Sequence, residues 1–169
     1  MSPLTEALID YWQALPAQSA ALRQLRLEEA GARVREGVLG PEALVPFALA
    51  DVDAEVVVEA TLGYVGAGHG GRVREAAVAE ALEWIRRGLA LNRGAVFAAL
   101  LSLGDKAVNE SLAGLRLGLQ AEEVATVCRL AAATRCAATR EFLRSWLELL
   151  GAEGPAPERA HLSRALALD

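Results

Sequence analysis

GAVFAALLSLG, Gly94 to Gly104, contains no charged residue, and none occurs between Arg93 and Asp105. A helix built from it is apolar around its whole circumference, so the rest of the chain has to cover it on every side. The stretch is therefore read as the central buried helix of an all-α protein. From Asp51 to Leu119, other short apolar helical patterns flank it with little polar interruption.

Composition agrees. At 169 residues the chain suits one domain, able to bury about two thirds of its unfolded surface without a metal or disulfide staple. Hydrophobic residues make up 53% but aromatics only 5%, so Ala, Leu and Val do most of the packing. Close-packed helices use such residues better than a β-sandwich does. The net charge of -5, with no basic run and Lys106 as the only lysine, argues against nucleic-acid binding, which needs clustered cations. Cys128 and Cys136 make no disulfide framework, and His69 and His161 lie too far away in sequence to complete a zinc pattern. No metal or cofactor is expected. MSPLTEALIDYWQ carries Glu6 and Asp10 where a signal peptide has cations, and it lacks an apolar core. The Gly94 to Gly104 run is far short of the roughly 20 residues that cross a bilayer, so no membrane partner and a cytoplasmic location are expected.

Taken in order, Ser2 and Pro3 start a helix with Leu4, Leu8, Tyr11 and Leu15 on one face, ended by Pro16. A second is expected over Gln18 to Ala30, with Leu22 and Leu25 inward and Arg23, Arg26, Glu28 and Glu29 in water. Pro41 to Ala50 reads as a short helix interrupted at Pro46, and Asp51 and Asp53 are good N-caps for the next. There Val58, Leu62 and Val65 share a face, with Glu55 and Glu59 on another. Val56 to Val58 also fits a strand, but no partner strand is found. After the glycine-rich Gly66 to Arg72, a helix over Val73 to Leu91 turns Val78, Leu82, Ile85 and Leu89 inward, with Trp84 beside them and a Glu83–Arg87 ion pair outside. Asp105 caps a helix with Val108, Leu112 and Leu115 in line. Glu122 and Glu123 lead the next, Gln120 to Ala133, whose apolar line is Val124, Val127, Cys128 and Ala131. Thr139 opens a helix carrying Phe142, Leu143, Trp146, Leu147 and Leu150, stopped by Gly151. The domain is thus read as 1–151, and 152–169 as a linker and a weak C-terminal helix.

Three segments share a template of an acidic residue followed at fixed spacing by Val, Leu and a branched apolar residue. They begin at Glu55, Glu75 and Asp105. Within them, VREAAVAEALEWI (Val73 to Ile85) and DAEVVVEATLGYVG (Asp53 to Gly66) resemble the second helix of HEAT-type repeats. The resemblance covers about half the chain. It implies a short stack of about seven to nine antiparallel helices, akin to HEAT and armadillo proteins, whose usual role is scaffolding. The copies are offset by 20 and 30 residues where HEAT units recur at about 40, so the expected stack is irregular.

Chemistry is sparse. Gly66, Gly68 and Gly71 satisfy G-x-G-x-x-G, but a dinucleotide site also needs a preceding strand and an acidic residue about 20 positions on, where Leu91, Asn92 and Arg93 stand. His69 has no Ser, Cys or carboxylate beside it in sequence. Glu55 with Glu59 and Glu80 with Glu83 read as solvated helix faces. The candidate binding residues are His69 and Arg72 in the loop and Arg86, Arg87 and Arg93, guanidinium forks suited to a phosphate or an acidic partner. No catalytic residue is assigned. The expected function is docking of another protein, with a homodimer among the options; the alternative is a small-ligand site or enzyme using Gly66 to Arg72.

Overall fold

A computed structural model describes residues 19–66, 71–134 and 136–167. Among them are nine α-helices and no strand. The chain divides into two compact units, Met1–Asn92 and Arg93–Asp169. The helix expected around Leu4 to Leu15 lies outside the described residues.

In the first unit α1 spans Ala20–Arg35, opened by Ser19, whose hydroxyl accepts the Leu22 N–H at 3.2 Å. It runs past the expected end and closes where Gly37 takes φ 78°, which lets the Gly37 and Val38 amides reach back to the Val34 and Arg33 carbonyls. A 3-10 turn, Pro41–Leu44, leads into α2, Val45–Ala50. Pro46 falls in the first turn of α2, where its missing N–H costs nothing, so the interruption comes just before it. Helix α3 is Ala54–Gly66, capped by Asp53, whose Oδ1 accepts the Glu55 N–H at 3.1 Å. The β-branched run Val56 to Val58 is therefore helical. Helix α4 is Gly71–Arg87. It ends four residues earlier than expected, where Gly88 at φ 66° directs its own amide and that of Leu89 to the Ile85 and Trp84 carbonyls.

Several facings differ from the sequence reading, and an ion pair accounts for the first. Arg23 is not in water: its Nε lies 2.7 Å from the buried carboxylate of Asp51, which also accepts the Asp53 N–H. Leu27, one turn on, shares that face and is buried, leaving Leu22 and Leu25 38% and 51% exposed. In α3 the inward set is Val56, Val57, Ala60, Thr61, Tyr64 and Val65, while Val58 and Leu62 are only half-buried. Because α3 packs against α1, α2 and α4, its contact face is broader than one apolar line and rotated from it. Likewise Trp84 is buried in α4, Leu82 is half-buried, and Leu89 lies beyond the helix and exposed. Tyr64 stacks at 5.4 Å against Trp84 and donates its hydroxyl to Glu80, so Glu80 is not merely solvated. Glu59 likewise accepts from the Gln24 amide.

In the second unit α5, Arg93–Leu101, takes up the uncharged run as far as Leu101, three residues short of the expected Gly104, and every residue from Gly94 to Leu101 is buried. Asp105 caps α6, Lys106–Leu115, accepting the Ala107 and Val108 amides. Helix α7, Ala121–Ala132, opens with a reciprocal box in which Glu123 accepts the Gln120 N–H at 2.8 Å, and it buries the expected Val124, Val127, Cys128 and Ala131. Helix α8, Ala137–Leu150, buries Phe142, Leu143 and Trp146 and stops at Gly151. The C-terminal segment read as weak is α9, Ala156–Ala167. It packs on α7 and α8 and inserts a fully buried Leu162.

The repeated template does not map onto one structural role. Val78, Ile85 and Val65 are buried with Val108 and Leu112, but Val58, Leu62, Leu82 and Leu115 are half-buried.

Candidate functional site

The five residues singled out from sequence do not form a described cluster. His69 lies outside the described residues, and of Arg72 only the backbone is described, in the first turn of α4. A helix, not a strand, precedes their loop, which removes the βα setting that a dinucleotide site requires. Arg86 is tied to Glu83 by two bonds of 2.8 and 2.7 Å, displacing the expected Glu83–Arg87 pair by one position. Both spacings lie on one helix face, and the nearer partner takes the carboxylate. Hydrogen bonding to Arg86 holds the Glu83 carboxyl below its ordinary range. Arg87 is exposed.

Arg93 serves packing rather than display. Its Nε and Nη2 grip both oxygens of Glu123 at 2.7 and 2.6 Å, and Nη2 also reaches the Gly118 carbonyl. This fork joins the start of α5 to the start of α7. Burial pushes the Glu123 carboxyl up, but the Arg93 fork and the Gln120 N–H outweigh it and hold the group below its usual range.

The two cysteines differ sharply. Cys128 is buried on α7, and desolvation pushes its thiol up to about 12. Cys136 is the N-cap of α8 and half-buried, and the backbone N–H groups of Thr139 and Ala138 in the first turn hold its thiol below the ordinary value. Native protein should therefore be alkylated once, at Cys136, with a rate midpoint below that of a free thiol near 8.5. Cys136→Ser should abolish the labelling, while Cys128 should react only after unfolding, as mass spectrometry would read.

Two grooves in the second unit were not legible from sequence. One, of about 540 Å³, lies beside α6 and α8, where Arg116 stands 5.6 Å over the Phe142 ring and its Nη1 is 3.5 Å from the Ser145 hydroxyl. Burial lowers the Arg116 value. Lys106 and Arg116 there are matched by Glu110 and Glu141, so the groove carries no excess charge. The other, of about 420 Å³, lies beside α7 and α9 and is lined by Arg129, His161 and Arg164 without a carboxylate. Arg129 stands 32 residues from His161, and only the packing of the last helix brings them together.

At one edge of the first unit, the Leu91 N–H donates to the Leu49 carbonyl at 2.9 Å and the Asn92 side chain to the Val52 carbonyl at 2.9 Å. These bonds draw the segment after α4 alongside the end of α2. Val52, Leu89 and Leu91 remain 69%, 41% and 59% exposed there. Among the described residues no group of three or more His, Cys, Asp or Glu is placed to hold a metal ion, and no helix is long and apolar enough to cross a membrane. The chain matches no family model, no curated protein and no solved structure.

Proposed function

We propose that the chain is a HEAT-like helical module that docks another protein, as an adaptor, assembly factor or inhibitor. The observation that supports this reading best is the edge formed by Val52, Leu89 and Leu91. The Leu91 N–H and the Asn92 side chain tie the backbone of the two segments together there, while the side chains of Val52, Leu89 and Leu91 stay in water. Single exposed leucines are ordinary, but a fixed group of them is characteristic of a surface that a partner covers. Asp53 and Glu55 lie one and three positions after Val52, and the chain is acidic overall, so the matching partner face has an apolar centre and a basic rim. The alternative, a small-ligand or enzymatic site in the Gly66 to Arg72 loop, falls mostly outside the described residues.

A photo-crosslinking residue at Leu91 should capture one defined protein in cells. Val52→Ser with Leu91→Ser should lose that partner in co-purification, while Leu117→Ser, at an exposed leucine of the second unit, should retain it. Equal recovery by both variants would overturn the surface. A purified chain with twice the monomer mass by light scattering, returned to monomer by the Val52/Leu91 changes, would make the occupant a second copy instead.

A further inference from the structure

We propose that the groove bounded by Arg129, His161 and Arg164 binds the phosphate group of a small organic phosphate. Three observations converge on it.

The first is local charge. The chain as a whole is acidic, with 22 carboxylates against 17 Lys and Arg. The wall of this groove reverses that balance: Arg129, His161 and Arg164 line it, and no carboxylate does. The carboxylates of the two helices, Glu122, Glu123 and Glu158, are not in its wall.

Shape is the second. Ala125, Ala132 and Ala165 supply the floor, so small side chains on both helices leave space between the longer cationic ones. The volume of about 420 Å³ suits a small metabolite better than a helix or strand of a partner. The remaining polar groups of the wall do not compete for an anion. The Thr126 hydroxyl is spent on the Glu122 carbonyl at 3.1 Å, and the Cys128 thiol, pushed up to about 12, stays neutral.

The third is chemical fit. Guanidinium presents planar forks of donors that match the oxygens of a phosphate, and imidazole adds a donor at a different angle. Arg129 and Arg164 each lie in the last turn of their helix, where a cation also complements the helix dipole. Dipole compensation explains each arginine singly, but not their convergence with a histidine on one open cavity. The groove uses none of the residues of the apolar edge, so this inference stands or falls independently of the docking reading.

Calorimetric titration of the full chain with glycerol 3-phosphate is the test. Saturable binding is expected with a dissociation constant of about 1 mM or tighter, and Arg129→Gln with Arg164→Gln should weaken it at least about tenfold. A control of equal charge change outside the groove, Lys106→Gln with Arg144→Gln, should leave it within about twofold. His161→Gln, followed by circular dichroism to confirm an intact fold, should weaken binding without removing it. Inorganic phosphate and phosphatidic-acid vesicles distinguish the sources of the same group. Free phosphate binding as tightly as the ester, or binding confined to vesicles, would overturn the small organic phosphate, as would no binding or equal loss in the arginine and control variants.

Discussion

Replacing Phe97 by alanine is expected to cost the second unit about 3–5 kcal/mol. Phe97 is fully buried midway along α5, and its ring lies 5.9 Å from Phe142 and 5.7 Å from Trp146. Phe142 and Trp146 meet edge to face at 6.1 Å, so the three rings form a closed set. Each such pair adds about 0.5–1.5 kcal/mol beyond the area it buries. Two of the rings are fixed one turn apart on α8 and cannot both swing into the void. With a typical domain stable by only about 5–15 kcal/mol, the alanine variant sits near the edge of folding. Phe97→Leu keeps much of the apolar volume but loses both ring pairs, so it should cost less than alanine, about 1–3 kcal/mol. Urea unfolding followed by circular dichroism reads both. A loss below about 1 kcal/mol for the alanine variant would show that the cluster does not support the unit.

The second large effect concerns a hydrogen atom. Gly94→Ala adds one carbon to a helix, which by propensity alone stabilises by up to about 1 kcal/mol. Here the sign should reverse. That carbon would stand 2.7 Å from the Glu123 carbonyl oxygen and 3.2 Å from its Cα, with the Thr126 Cβ at 3.1 Å. Backbone atoms of α7 cannot rotate aside, so α5 and α7, the most extensively packed pair in this unit, must separate. The expected cost is about 1–3 kcal/mol, and it also stretches the adjacent Arg93–Glu123 fork. Gly114→Ala in α6 is the control: no atom lies within 4 Å of the added carbon, so the ordinary gain of about 0.4–1 kcal/mol should appear. Thermal melts of the two variants should move in opposite directions.

The reading of α7 shows what amphipathic periodicity delivers. Val124, Val127, Cys128 and Ala131 fall on one line in the sequence and are the buried residues of that helix. In α1 the same reasoning failed, because Leu22 and Leu25 are too few to outweigh an ion pair with a residue 28 positions away. A buried carboxylate such as Asp51 demands its partner, and that demand set the rotation of the helix. The candidate site followed the same pattern. Arg86 and Arg93 were conspicuous in sequence but are engaged by carboxylates, whereas Arg129, His161 and Arg164 were inconspicuous and are gathered by a helix that the composition of 152–169 made look weak.

Sequence by itself determined that the chain is helical, where most helices begin and end, and that the uncharged run from Gly94 is buried, since caps, glycine stops and apolar content act within a few residues. Only the tertiary structure decided how α1, α3 and α4 are turned about their axes, which cations are neutralised, and which cations meet in one groove. Those outcomes depend on contacts between residues tens of positions apart, and no local pattern encodes them.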